Sequence, residues 1–469
     1  MKELFKNFLS FGLATTLEKV LLFLFIPIYS KYLLKEEFGV VDLMQVIAEG
    51  GSIFALLQLE SAFQRYYLDF KGRLKKIHVS SIFLFLGFSS IVIALLLLLI
   101  ANPLNQYLFD SQKYSQAFFW SILKIPFSNF SIITFIILRF ENHTKKFLFY
   151  VLLRSISLLV LTILFLNLLE NKVNAVIISQ FLSSVITCFF LWFYLKNFVQ
   201  FRYSKVILKK SLKFSIPMVP ARVGSFVITY ANRFFLAYVL SLSAIGVYSL
   251  SLRFASAVQI IYTAFIMAWT PFLFSTLKKR NSDIILKEIL PIVAAPVFLL
   301  VCVICLFSNE LVKYFSTSEF SESAKYIGGL SLFFCLMIFK EIVDIGPKIK
   351  EETKFITYNF FASVLVNMVS LFILTPKFGI QGVVLSMIIT NVVLVVLSWY
   401  VSNKLYYIPF NILKFIIFAT PAFALAIILM NYTFSLNERL TILVFVLVFY
   451  VIGIIYNLKK GKKIILINK

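Results

Sequence analysis

The chain has 469 residues, of which 61% are hydrophobic and only 14% charged, against roughly 45–50% and 25% in soluble chains. That balance excludes an array of soluble domains and indicates a protein held almost wholly in a bilayer. The net charge of +24, from 45 Lys and Arg against 21 Asp and Glu, would suggest nucleic acid in a soluble protein; in a membrane protein the placement of Lys and Arg explains it without that partner.

Apolar runs bounded by charge clusters predict an all-α polytopic protein with fourteen spanning helices, near residues 9–33, 39–64, 77–101, 115–138, 147–168, 173–195, 212–232, 243–275, 288–309, 325–346, 355–376, 379–403, 412–431 and 440–458. Each reaches or exceeds the ~20 residues that a span needs, and none alternates as barrel strands do. The longest gaps, near 102–114, 196–211 and 310–324, leave no room for a soluble domain of ~50 residues. The first apolar stretch is long and lacks a small-residue cleavage pattern, so it is expected to remain as the first span. Cys188, Cys302, Cys305 and Cys335 all fall inside apolar runs and read as small packing residues. Cys302 and Cys305 have no second pair with which to hold a metal.

Alternate gaps divide the basic residues sharply. The N-terminus, every second gap and the C-terminal tail hold 31 Lys and Arg, whereas the opposite gaps hold nine, Arg233 and Arg439 among them. By the positive-inside bias both termini are cytoplasmic, and the surplus contacts anionic headgroups. An internal repeat adds to this. Residues 146–157 (KFLFYVLLRSIS) align with 354–365 (KFITYNFFASVL) at offset 208, and Phe38-Gly39-Val40 aligns with Ile245-Gly246-Val247 at offset 207. The offset spans six helices, which predicts two lobes of like orientation, 1–205 and 206–405, followed by two further helices and a basic tail over 406–469.

Five bases are left inside the predicted spans: Lys19, Lys124, Arg154, Arg222 and Arg253. A central charge costs about 2.5–3.5 kcal/mol on insertion scales, so each should face a partner or a wet cavity. Arg222 follows Pro217 and Pro220, which weaken the helix around it, and it is either an anion-binding group or half of an interhelical ion pair. By the 207 offset its first-lobe counterpart is Thr15, one turn before Lys19, so Lys19 and Arg222 are expected to flank an anion at similar depth. Arg154, Arg253 and Lys124 lie nearer span ends, where snorkelling is the alternative. The acids Glu18, Asp42, Glu49 and Glu60 fall on the first two predicted helices and are candidates to bind a coupling proton or Na⁺, or to neutralise Lys19 or Arg222. Glu341 and Asp344 are expected at an interface, and His78 and His143 in gaps, so no buried histidine relay is expected.

No phosphate-binding GxxxxGK[ST] loop, HExxH or paired CxxC is present, and the short gaps offer no pocket for a catalytic carboxylate pair. No enzymatic activity and no cofactor is expected beyond possible Na⁺ or H⁺ coupling. The aromatic load, 55 Phe and 22 Tyr, reads as lipid-facing surface and interface belt rather than a sugar platform.

Several stretches resemble one family. Phe11-Gly12, Ile26-Pro27-Ile28-Tyr29-Ser30-Lys31-Tyr32-Leu33 and Glu37-Phe38-Gly39 look like the opening of bacterial polysaccharide flippases of the O-antigen type. Lys213-Phe214-Ser215-Ile216-Pro217, Asn232-Arg233-Phe234-Phe235-Leu236 and Ile245-Gly246-Val247-Tyr248-Ser249-Leu250 are similar to the start of that family's second lobe, and Phe378-Gly379-Ile380-Gln381-Gly382 to a later loop. The family belongs to the multidrug/oligosaccharidyl-lipid/polysaccharide (MOP) exporter superfamily. The resemblance implies two six-helix lobes in a V around a central cavity, a bacterial inner-membrane location, and transfer of an undecaprenyl-diphosphate-linked oligosaccharide, for O-antigen or capsule, to the periplasmic leaflet by alternating access. It implies a monomer whose partners are lipid-linked oligosaccharide, membrane lipids and a polysaccharide polymerase complex. A cationic wet cavity suits a diphosphate that cannot cross hydrocarbon unaided. A peptidoglycan-precursor flippase, a drug or cation antiporter of the same superfamily and a membrane glycosyltransferase or polymerase are the competing readings; the antiporter would favour acids over bases in its cavity.

Overall fold

A computed structural model of the chain describes residues 21, 23–109, 112–200, 202–277, 282–350, 352 and 354–467. Among these every regular element is a helix, and twelve helices are long and apolar enough to cross a membrane. Two compact units emerge, Met1–Gly246 and Val247–Lys469. This is a division by internal contact, a different quantity from the lobes expected by helix count.

In the first unit the helices are α1 (Phe25–Tyr32), α2 (Lys35–Leu56), α3 (Leu59–Tyr66), α4 (Gly72–Leu99), α5 (Ala101–Phe109), α6 (Ser115–Phe140), α7 (Thr144–Leu168), α8 (Lys172–Leu195), α9 (Lys205–Ser215) and α10 (Val219–Val239), and α11 (Leu242–Thr276) begins there. Within the unit α2 packs on α4, α6 and α10, and α8 on α6 and α7. The apolar window of α2 is 78% buried, that of α4 only 22%. Such a contrast follows from two kinds of surroundings: α4 turns Leu84, Phe88, Ile91 and Leu95 outward, where lipid tails meet them, while α2 must satisfy its polar groups inside the bundle. Ser52 of α2 donates to Asn129 of α6, whose amide donates to Ser90 of α4 at 2.9 Å, a polar clasp of the kind that holds helices where no hydrophobic drive exists between them.

The second unit contains the rest of α11, then α12 (Ser282–Leu306), α13 (Ser308–Phe315), α14 (Ala324–Val343), α15 (Gly346–Ile349), α16 (Lys354–Phe378), α17 (Ile380–Leu405), α18 (Ile412–Asn431) and α19 (Leu436–Ile467). Here α17 packs on α14 and α16, and the last two helices pack on α12. Clasps recur: Asn367 donates to Thr390 at 3.2 Å, and Asn391 to the Phe333 carbonyl at 2.7 Å.

Three features differ from the sequence expectation. The span expected at 39–64 is broken, because Leu57 and Gln58 adopt left-handed backbone, φ 47° and 57°, ending α2 and starting α3. The three longest gaps are themselves partly helical, in α5, α9 and α13. The helix expected at 212–232 starts later, as α10, since Pro217 and Pro220 occupy the first positions of a 3-10 turn (Ile216–Met218) and of α10, where a missing N–H costs nothing, and α10 is not among the twelve helices long and apolar enough to cross a membrane. The span expected at 9–33 lies mostly outside the described residues; its described end is α1.

Candidate functional site

Two ion pairs of the first unit lie where α10 runs along α2. Arg222, Phe226, Tyr230 and Arg233 are spaced 4, 4 and 3 residues apart on α10, so they share one face over about 16 Å of rise. Their partners on α2 run in the opposite chain direction. Arg222 Nη2 lies 3.5 Å from Glu49 Oε1, an alanine-sized group added at Gly50 would meet the tip of the Phe226 ring at 3.2 Å, and Arg233 Nε donates to Asp42 Oδ2 at 2.5 Å.

These two ion pairs are physically different. The Asp42–Arg233 side chains are 11% and 5% exposed, and Arg233 also donates to the Thr229 carbonyl at 2.9 Å, so this pair is a fixed tie between α2 and α10. Both partners of Arg222–Glu49 are 44% exposed, and a long, open pair of this kind contributes about 0–1 kcal/mol. Arg222 is thus held in place loosely and remains exchangeable. It stands in the first turn of α10 rather than mid-helix, because the helix starts later than the apolar run suggests.

Glu49 is the hub of the cluster. Glu60, across the Leu57–Gln58 break, lies within electrostatic reach of both Arg222 and Glu49, and its Oε2 is buried with no hydrogen-bond partner among the described residues. Lys124 of α6 also feels Glu49 and donates to Gln180 Oε1 of α8 at 3.0 Å. Arg154 stands apart on α7, its guanidinium 5.8 Å over the Phe135 ring and its carbonyl accepting from Ser183 at 2.9 Å. Arg253 belongs to the second unit, half-buried on α11. Lys19 and Glu18 lie outside the described residues. The structure therefore brings together Arg222, Glu49, Glu60 and Lys124, while Asp42 is already engaged by Arg233.

Several groups stand elsewhere than the sequence predicts. Arg233, assigned to an external gap, is 4% exposed inside α10; the prolines at 217 and 220 were the signal, since a helix starting after them carries position 233 within it. Arg439, likewise assigned to a gap, is 8% exposed and donates to Glu310 at 2.6 Å. Asp344, expected at an interface, is fully buried beside the buried Lys340, 2.8 Å away, an i,i+4 pair readable as such. His78 is not in a gap: it is fully buried on α4, its ring stacked on Phe63 at 5.2 Å and tilted against Phe70 at 4.9 Å. The second unit also contains a cavity of about 550 Å³ whose lining, including Leu290, Phe339, Trp399, Phe415 and Phe423, is almost wholly apolar and offers no counter-charge to an ionic headgroup.

The helical architecture is shared with known transporters. Lipid II flippase MurJ, in an inward closed conformation, is similar with a TM-score of 0.72 at 17% identity, covering 94% of this chain and 97% of that one. A multidrug resistance MATE family transporter of the MOP superfamily, inward-facing, gives 0.57 at 15%, covering 82% and 94%. The Vibrio cholerae MATE transporter VcmN gives 0.62 at 14%, covering 86% and 97%. These likenesses define the class, a polytopic membrane protein with the fold of MurJ and MATE transporters. No curated protein matches the sequence. A family model described as "Polysaccharide biosynthesis protein" matches residues 28–325, more than half of the chain, and the chain belongs to that family.

Proposed function

We propose that this protein is a flippase that carries an undecaprenyl-diphosphate-linked oligosaccharide, the unit of an O-antigen or capsule, from the cytoplasmic to the periplasmic leaflet of a bacterial inner membrane. It acts as a monomer with both termini cytoplasmic, exchanges cargo with the lipid phase and delivers it to a polysaccharide polymerase complex. Transport proceeds by alternating access without covalent chemistry. The observation that carries the reading is the loose, half-exposed Arg222–Glu49 pair in a chain of the polysaccharide biosynthesis family.

A guanidinium whose carboxylate partner sits at 3.5 Å exchanges that partner readily for a phosphate, which it grips through two parallel N–H···O bonds. Once phosphate holds Arg222, Glu49 loses its counter-charge and takes up a proton or Na⁺, which links headgroup occupancy to ion uptake; Glu60, with its unpartnered oxygen, is the second acceptor of that ion. Lys124, within electrostatic reach of Glu49, adds positive potential.

Losing a charge-assisted contact costs roughly 1.5–3 kcal/mol, a tenfold to hundredfold weakening. Arg222→Ala should therefore abolish surface polysaccharide at normal protein abundance, and Arg222→Lys should keep part of it. Normal polysaccharide in the Ala variant refutes the assignment, and loss of the protein itself indicates a structural pair instead. In proteoliposomes, Glu49→Gln or Glu60→Gln should remove dependence on the proton or Na⁺ gradient; unchanged dependence in both rejects the coupling role. The second reading, a peptidoglycan-precursor flippase, is favoured by the likeness to MurJ. It shares the lipid diphosphate and is separated by whether the gene rescues cells depleted of their lipid II flippase.

A further inference from the structure

We infer that Phe226 and Tyr230 form a stacking platform for the sugar attached to the diphosphate, next to the phosphate site at Arg222. This rests on the headgroup reading above and extends it to the first sugar.

The two rings lie 4.9 Å apart with planes tilted by 39°, making one aromatic patch on the face that carries Arg222. Both are half-buried, so part of each ring stays accessible. Each is braced by a neighbour. The tip of Phe226 rests over Gly50, where any side chain would crowd it. Arg233, locked by Asp42, sits 5.1 Å over the Tyr230 ring. A braced ring loses little freedom when a ligand arrives.

Spacing supports the assignment. Phe226 is one helical turn from Arg222, about 6 Å of rise, so a pyranose joined directly to a phosphate on Arg222 comes to lie over the aromatic pair. The C–H face of a pyranose is apolar and weakly electropositive, which suits the electron-rich face of an aromatic ring. Tyr230 lies within electrostatic reach of Glu49, Arg233, Asp42 and Arg222.

The test uses two probes on the full chain in nanodiscs: a short-chain polyprenyl diphosphate, and the same diphosphate bearing one hexose. Phe226→Leu and Tyr230→Leu should each weaken binding of the hexose-bearing probe about five- to tenfold and leave the bare diphosphate unchanged. Tyr230→Phe, which keeps the ring and adds nothing at its tip, should still bind the hexose-bearing probe more tightly than Tyr230→Leu does. Equal weakening of both probes, or of neither, overturns the platform. Arg222→Ala separates the two levels: it should weaken both probes, and if it weakens neither, the headgroup site falls and the platform with it. Should Phe226→Leu fail to yield folded protein, Tyr230→Leu carries the same readout.

Discussion

Asp42 and Arg233 illustrate how one residue's role depends on its partner. In the sequence Asp42 is one of four acids on the first two predicted spans, open to ion coupling; in the structure its carboxylate is closed off by a guanidinium at 2.5 Å with both side chains buried. Breaking a buried pair strands a charge and costs about 3–5 kcal/mol, whereas replacing both partners with apolar residues is near neutral. Asp42→Leu should therefore sharply lower the melting temperature of detergent-purified protein, and the Asp42→Leu/Arg233→Met double variant should regain most of it. A double variant as unstable as the single one would show that the two residues do not act as a pair. Glu49→Gln, which disturbs only an exposed pair, should move the melting temperature little.

Among the elements, α2 and α11 meet through the two glycines that the repeat alignment matches. A Cβ at Gly39 would collide with the Leu242 carbonyl oxygen, and one at Gly246 with the Lys35 carbonyl oxygen. The close approach of the two backbones is reciprocal, which explains why Phe38-Gly39-Val40 and Ile245-Gly246-Val247 share a pattern: each glycine makes room for the other's helix. Forcing a methyl into such a contact costs typically 1–3 kcal/mol or more. Gly246→Ala should reduce folded yield and thermal stability, while Gly87→Ala on α4, with open space around it, should be neutral. If fluorescence-detected size exclusion finds both equally tolerated, the two backbones do not approach closely enough to require glycine.

Across the whole molecule, the described spans number twelve against fourteen expected. The two that are not counted are the first, which lies mostly outside the described residues, and α10, whose 21 residues carry Arg222 and Arg233. Whether α10 crosses the bilayer is open to a direct test. In a variant without native cysteines, single cysteines at Lys205 and Lys350 should label from the cytoplasmic side, and those at Lys113, Glu319 and Lys377 from the periplasmic side. Four helices separate positions 205 and 350 if α10 spans, three if it does not. Labelling of those two positions from opposite faces would remove α10 from the count and place Arg222 at an interface.

Hydrophobicity and the bias of Lys and Arg are properties of composition along the chain, so the membrane class, the helix order and the family resemblance were legible in the residues alone. The start of α10 was legible too, in Pro217 and Pro220. Which charges are spent and which remain exchangeable was not. Arg233 and Arg222 lie on the same helix and carry the same group, yet one is closed off by Asp42 and the other stands half-open beside Glu49. That difference arises from how α2 and α10 pack, through partners 173 and 191 residues apart in the chain, and no local pattern encodes a distance across a helix pair. For the same reason Phe226, Tyr230 and Arg233 could be read as one helix face, but only tertiary packing set Phe226 beside Gly50 and tied Arg233 to Asp42.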